Sequence, residues 1–90
     1  MSIDKIEIEL HDAGVKAVTE AINAAKNWPR YASAHEAYAV LKEEVDEFWD
    51  HVKTNQKRRD LVAMRKELIQ IAAVALRAAT EVCDEVNGRK

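Results

Sequence analysis

The sequence has little of what tight turns and disulfide-bonded folds require. It contains two glycines, one proline and one cysteine among 90 residues. These are too few turn-forming residues for a sheet of many short strands, and a single cysteine excludes an internal disulfide. Helix-favouring residues, namely Ala, Glu, Lys, Leu and Arg, are abundant. We therefore expect an all-α protein.

An excess of one charge and a long apolar run are also missing. The net charge is −2, with both signs mixed along the chain, which argues against a nucleic-acid or anionic-membrane surface. No apolar stretch approaches the roughly 20 residues of a membrane span, and the charged start, Met1 to Leu10, shows no signal peptide. We expect a cytoplasmic protein, and one free cysteine is consistent with that compartment.

The first of three predicted helices covers about residues 4–27 of a single domain, 1–90. Alternating Ile6, Ile8 and Leu10 would also fit a strand, but no second strand signal is present for it to pair with. The helix must end before Pro29, because the residue preceding a proline is pushed out of the α region.

The second and third helices are predicted over about 33–52 and 60–86. Ser33 and Glu36 have the spacing of a capping box, and Asp60 is a suitable N-cap for the third helix. The pair Asn87-Gly88 is expected to end that helix. We therefore expect a bundle of three to four helices.

The middle of the third helix predicts oligomerisation. From Ile71 to Leu76 the chain is apolar on every side, and such a helix must be covered on every side. Two other helices of a small protomer can hardly do this, so we expect a homodimer or homotetramer built around it. Cys83, further along, is interpreted as a small buried hydrophobic residue.

The densest polar feature is a run of carboxylates on the second helix. Glu43 and Glu44 lie four and three residues before Glu47, a spacing at which like charges repel unless a cation compensates. Clustered hard oxygen ligands suit Mg²⁺. The alternative is a solvated acidic face, which is common on surface helices.

Glu67 favours the metal interpretation. It lies in a largely apolar strip of the third helix with Met64, Ile71 and Val74, where a carboxylate needs a cation. That cation is either a basic side chain or a metal. If the second and third helices pack antiparallel, Glu67 meets Glu44 and Glu47.

A family resemblance follows from this order of residues. Glu43, Glu44 and Glu47 form a Glu-Glu-x-x-Glu motif, and Glu67 opens the next acidic motif on the following helix. This order resembles the MazG family of all-α nucleoside triphosphate pyrophosphohydrolases. Segments 33–41 and 67–77 are similar to its short, phage-type members, so the resemblance covers about 28–77. Gln70 stands where the family has Asp, and supplies a carbonyl oxygen but no charge.

The resemblance implies a Mg²⁺ site, with Mn²⁺ also acceptable. The implied ligands are Glu43, Glu44, Glu47, Glu67 and Gln70, with Glu44, Glu47 and Glu67 as catalytic residues. The implied reaction hydrolyses a nucleoside triphosphate to NMP or dNMP and pyrophosphate, in nucleotide-pool maintenance. The alternative is a non-catalytic helical oligomerisation or interaction module that keeps the fold and has lost turnover through Gln70.

Basic and aromatic residues are candidates for substrate binding. Cationic side chains near a phosphate site would hold the triphosphate, and flat rings would stack on a base. The alternatives are a solvated turn for Lys53 and Arg59, a carboxylate partner or solvent for Arg77, and core packing for the rings. The candidates are Trp28, His35, Tyr38, Lys53, Arg59 and Arg77.

Overall fold

The structure contains the three helices that the sequence predicts. The computed structural model describes residues 3–83. Helix α1 spans Ile3–Asn27, α2 spans Ala34–Val52 and α3 spans Leu61–Glu81, with a short 3₁₀ turn at Gln56–Arg58 between α2 and α3. The all-α prediction is confirmed for this part of the chain, which contains no strand. None of its helices is long and apolar enough to cross a membrane.

Helix boundaries follow the local chemistry of the chain. Ser33 Oγ accepts a hydrogen bond from the Glu36 amide at 3.1 Å, and Glu36 Oε1 accepts one from the Ala32 amide at 3.1 Å. Asp60 caps α3 by accepting from the Ala63 amide at 3.0 Å. These bonds satisfy amides that a helix start otherwise leaves unpaired.

The prediction that the third helix reaches residue 86 is wrong, because α3 ends at Glu81. Val82 is its C-cap, and the Glu81 side chain accepts a hydrogen bond from the Tyr31 amide in the loop before α2. Cys83 lies beyond the helix and is exposed, which corrects its interpretation as a buried residue. The predicted Asn87-Gly88 helix end lies outside the described residues.

Both other helices pack against α3. Gln70 of α3 contacts Glu20 of α1, and Arg77 contacts Pro29, so α1 and α3 run in the same direction. The Glu81 carboxylate contacts Tyr31, just before α2, so α2 runs antiparallel to α3. This arrangement places the middle of α2 beside the first half of α3.

The protein core is built from small side chains. Among the described residues, no large side chain is fully buried. The buried apolar residues are Ala17, Ala21, Tyr31, Ala37, Ala73, Val74 and Val82. Within the segment predicted to be covered on all sides, Ala73 and Val74 are buried, whereas Ala75 and Leu76 are exposed. The protomer thus covers part of the apolar middle of α3 and leaves part of it bare.

Candidate metal centre

Three carboxylates from two helices meet beside the α2–α3 interface. One side-chain oxygen each from Glu44, Glu47 and Glu67 lies within 4.8 Å of the other two. Glu44 and Glu47 share a face of α2 because they are three residues apart. The antiparallel α3 brings Glu67 against that face. The sequence therefore predicted which glutamates converge.

Glu67 supplies the buried part of this acidic cluster. Its Oε2 is shielded from solvent and has no hydrogen-bond partner, the only such side-chain atom found in residues 3–83. Burying a polar atom without a partner costs roughly 1–3 kcal/mol, and more for a charged group. None of the ion pairs found in the same residues involves the three glutamates. The predicted alternative, a salt bridge between Glu67 and a basic side chain, is therefore not formed among the described residues.

The electrostatics of the acidic cluster disfavour full ionisation. Burial raises the pKa of Glu44 above its ordinary value, and the nearby charges of Glu47 and Glu67 raise it further. A hydrogen bond to Glu47 and the charge of Glu43 add to the effect. A proton on Glu44 therefore relieves the repulsion when no cation is present, and a divalent cation would compete with that proton.

The chemistry of this donor set matches a hard divalent cation. All three groups offer carboxylate oxygens, which suit Mg²⁺, Mn²⁺ or Ca²⁺ better than softer metals. The unpartnered Glu67 oxygen and the raised pKa of Glu44 both indicate missing positive charge at this point. Glu44, Glu47 and Glu67 are accordingly the residues that fit a metal.

The structure leaves two predicted ligands apart from the acidic cluster. Glu43 is exposed and does not belong to the group of converging oxygens. The Gln70 side-chain amide donates to Glu20 Oε2 at 3.1 Å, so it is bound to α1. Two further carboxylates on α2, Asp46 and Asp50, are exposed and form ion pairs with Lys42 at 2.8 Å and Lys53 at 3.1 Å.

The predicted substrate-binding residues have different environments. Trp28, His35 and Tyr38 are exposed near the α1–α2 loop and on the first turns of α2. Trp28 lines an open groove of about 490 Å³ there. Lys53 is exposed and pairs with Asp50 at 3.1 Å.

The other two predicted cations, Arg59 and Arg77, are bound within the protein and are less exposed than Lys53. Arg59 donates from Nε to the Val52 carbonyl at 3.0 Å and so caps the end of α2. Arg77 was predicted to contact substrate, but its guanidinium is buried and bound within the protein. Its Nε lies 2.7 Å from Glu81 Oε2, and its Nη2 donates to the Pro29 carbonyl at 3.0 Å.

Arg77 and Glu81 form a buried polar network: a carboxylate partner was one expectation for Arg77, but sequence analysis did not identify Glu81 as that partner. Glu81 Oε1 accepts from the Tyr31 amide at 2.9 Å, and the Arg77 guanidinium lies 4.4 Å above the Tyr31 ring. Burial raises the pKa of Glu81, but hydrogen bonds from Arg77 and the Tyr31 amide outweigh it and hold the pKa below its ordinary value. The sequence signal that could have revealed this pair is an Arg and a Glu four residues apart in an apolar helix. We name this set the loop-anchoring network, because it fixes the α1–α2 loop on α3.

If Mg²⁺ binds the acidic cluster, the raised pKa of Glu44 predicts how the resulting stabilisation depends on pH. Since the folded pKa is raised above 4.5, the folded state holds more protons than the unfolded state just above that pH. Without metal, the free energy of unfolding therefore falls as pH rises through this window. We expect Mg²⁺ to raise the melting temperature more at about pH 7.5 than at about pH 4.5, because cation and proton compete.

Differential scanning fluorimetry with Mg²⁺ and with EDTA at both pH values measures this. Glu43→Gln is the matched control, because Glu43 is exposed and outside the converging group. It should keep most of the Mg²⁺ shift, whereas Glu67→Gln should lose it. Equal shifts at both pH values would contradict competition at Glu44.

Comparisons with known proteins found no relative of this chain. No family model matches the chain, and neither the curated proteins nor the solved structures gave a match.

Proposed function

We propose that this chain is a Mg²⁺-dependent nucleoside triphosphate pyrophosphohydrolase. The observation that carries the proposal is the convergence of Glu44, Glu47 and Glu67, with one buried Glu67 oxygen that has no partner. The resemblance of segments 33–41 and 67–77 to MazG proteins supports the choice of substrate. Such an enzyme must work in a compartment that contains nucleoside triphosphates, so the proposal includes a cytoplasmic location.

The three glutamates have distinct roles in this proposal. Glu67 would hold the cation with its buried carboxylate, and Glu44 would be a second ligand once it is deprotonated. A bound divalent cation, Mg²⁺ or Mn²⁺, would offset part of the negative charge of the triphosphate. It would also make the attacked phosphorus more electrophilic. Glu47 is the exposed member, and the proposal assigns it the role of accepting a proton from water.

The reaction balances without a covalent enzyme intermediate. A water oxygen forms a bond to the α-phosphorus, and the bond from that phosphorus to the oxygen bridging the α- and β-phosphates breaks. The water proton passes to Glu47, and pyrophosphate leaves with the bridging oxygen. The nucleoside monophosphate keeps the new oxygen.

Substrate contacts come from the exposed candidates in this proposal. Trp28, His35 and Tyr38 offer rings for a base, and Lys53 offers a cation for phosphate. Arg59 and Arg77 are less exposed than Lys53 and are bound within the protein, so they take no part.

A pyrophosphate-release assay over the common NTPs and dNTPs tests the proposal. We expect release in Mg²⁺ or Mn²⁺ and none in EDTA, with a preference among bases. Folded protein that releases no pyrophosphate from any of them would refute the enzyme.

The second candidate is a non-catalytic interaction module of the same fold. The observation that favours it is the bond between Gln70 and Glu20, which takes up the side chain at the position where the family has its fourth acid. Such a module would self-associate without turnover, and would keep doing so when Glu44, Glu47 or Glu67 is replaced.

A further inference from the structure

The open groove beside the α1–α2 loop combines apolar surface with two charged groups of opposite sign. Its volume of about 490 Å³ lies within the roughly 300–1,000 Å³ of small-molecule sites. Trp28, with an exposed ring, and Val40 of α2 contribute the apolar surface. Arg30 and Glu36 contribute an exposed guanidinium and an exposed carboxylate. We name this groove, lined by these four residues among others, the α1–α2 groove.

The α1–α2 groove and the acidic cluster lie along one face of α2. Val40 in the groove is followed four and seven residues later by Glu44 and Glu47, and such steps keep side chains on one helix face. Glu36 and Glu44 are eight residues apart, which is about 12 Å along the helix axis. This distance is close to the span from the hydrogen-bonding edge of a base to the α-phosphate of the same nucleotide. A nucleotide with its α-phosphate at the acidic cluster therefore reaches the groove with its base.

Tyr31 gives an independent indication that the groove and the acidic cluster are close together. Burial is the largest cause that raises the pKa of Tyr31, and the charge of Arg77 opposes it. The charges of Glu36 and Glu44 also raise that pKa. Because charges shift a pKa mainly at short range, both carboxylates lie near the Tyr31 side chain.

The two charged groups of the α1–α2 groove have hydrogen-bonding capacity left for a ligand. Glu36 Oε1 accepts from the Ala32 amide at 3.1 Å, but a carboxylate has about four acceptor sites. Arg30 Nη2 donates to the Glu81 carbonyl at 3.1 Å, but a guanidinium has five N–H donors. A matching ligand presents donors to Glu36 and an acceptor to Arg30.

Guanine matches this pair of groups better than the other common bases. It presents its N1–H and N2–H₂ donors side by side, with the O6 acceptor next to them. Adenine and cytosine each present one amino group beside a ring nitrogen whose lone pair a carboxylate repels. Uracil and thymine present a single N–H between two carbonyl groups.

We propose that the α1–α2 groove binds the base of the nucleotide and that Glu36 and Arg30 select guanine. This inference rests on the proposed pyrophosphohydrolase function and names its substrates as GTP and dGTP. Trp28 stacks on the base, Glu36 accepts from N1–H and N2–H₂, and Arg30 donates to O6. Trp28 is thereby selected among the three candidate rings, because it lines the groove whereas His35 and Tyr38 do not.

The first test uses the fluorescence of Trp28 and requires no turnover. The chain has two tryptophans, so Trp49→Phe leaves Trp28 as the only one. GMP with Mg²⁺ should quench its fluorescence saturably, and AMP should need at least about a 10-fold higher concentration. Trp28→Phe is the matched control, because the remaining Trp49 is exposed on α2 and outside the groove. Absence of saturable quenching in Trp49→Phe, or equal quenching in both variants, overturns the inference.

The second test compares kcat/KM for pyrophosphate release from GTP, ITP and ATP. We expect GTP to exceed ATP by about 10-fold to 100-fold, with ITP between them because it lacks the 2-amino group. Glu36→Gln should lower the value for GTP by about 10-fold and leave that for ATP nearly unchanged. Glutamine still serves in a capping box, so the start of α2 is preserved. An unchanged preference for GTP in Glu36→Gln overturns the role of Glu36.

The two tests separate failure of this inference from failure of the proposed function. Release of pyrophosphate at equal rates from all the triphosphates would overturn the selection of guanine and leave the enzyme standing. Guanine-selective quenching of Trp28 without release from any triphosphate would support the base site and refute the enzyme.

Discussion

Replacing Glu47 with glutamine is expected to reduce Mg²⁺-dependent pyrophosphate release to background. Glutamine keeps the size of the side chain but cannot accept a proton and brings no charge to the acidic cluster. The loss of a positioned proton acceptor alone costs about 100-fold to 10,000-fold in rate. Initial rates with the best substrate from the NTP and dNTP panel measure the effect.

Stability separates this result from misfolding. Without metal, Glu47→Gln removes a charge that raises the pKa of Glu44, so its melting temperature should equal or exceed that of the wild type. Glu43→Gln is the matched control on the same helix, and it should retain most activity because Glu43 is exposed and outside the converging oxygens. Full activity in Glu47→Gln, or equal loss in both variants, would remove Glu47 from its proposed role.

Replacing Arg77 with methionine is expected to lower the free energy of unfolding by about 3–5 kcal/mol, because it leaves the buried Glu81 charge without its partner. The Arg77 and Glu81 side chains are only 8% and 6% exposed. Urea unfolding at one fixed protein concentration measures the change, since self-association would shift apparent stability.

A matched control and a double variant distinguish the charge effect from packing. Lys42→Met removes a similar partner from a pair with Asp46 that is exposed to solvent and therefore stabilises the fold only weakly. Arg77→Met combined with Glu81→Leu should recover much of the loss, because no unpaired charge is then buried. A loss in Arg77→Met no larger than that in Lys42→Met would contradict the role of the loop-anchoring network.

The pH dependence of this pair has the opposite sign to that of the acidic cluster. Because the folded pKa of Glu81 is lowered, its stabilisation is present above the unfolded value and is lost as pH falls through the folded one. Glu44, with its raised pKa, favours the metal-free fold at low pH.

Features with a local cause were predictable from the sequence. The start of α2 follows from Ser33 and Glu36, the start of α3 from Asp60, and the end of α1 from Pro29. The convergence of Glu44 and Glu47 with Glu67 required only two helix periods and antiparallel packing.

Features that depend on distant parts of the chain were not predictable. Glu81 is bound to Tyr31 and its neighbours, fifty residues away in sequence, and no local pattern shows such a contact. The same Glu81 side chain binds Arg77. Helix α3 ends at Glu81, two residues before Cys83. Gln70 was expected near the glutamates, but the direction of its amide depends on Glu20 of α1.

The central position of α3 has a consequence for synthesis of the protein. Both α1 and α2 pack on α3, which is the last helix of the described chain to leave the ribosome. Until it emerges, the bare apolar side chains of the first two helices have no helix to dock on. Folding of this chain during translation is therefore expected to begin late, and the nascent α1 and α2 are natural clients of chaperones that shield apolar segments.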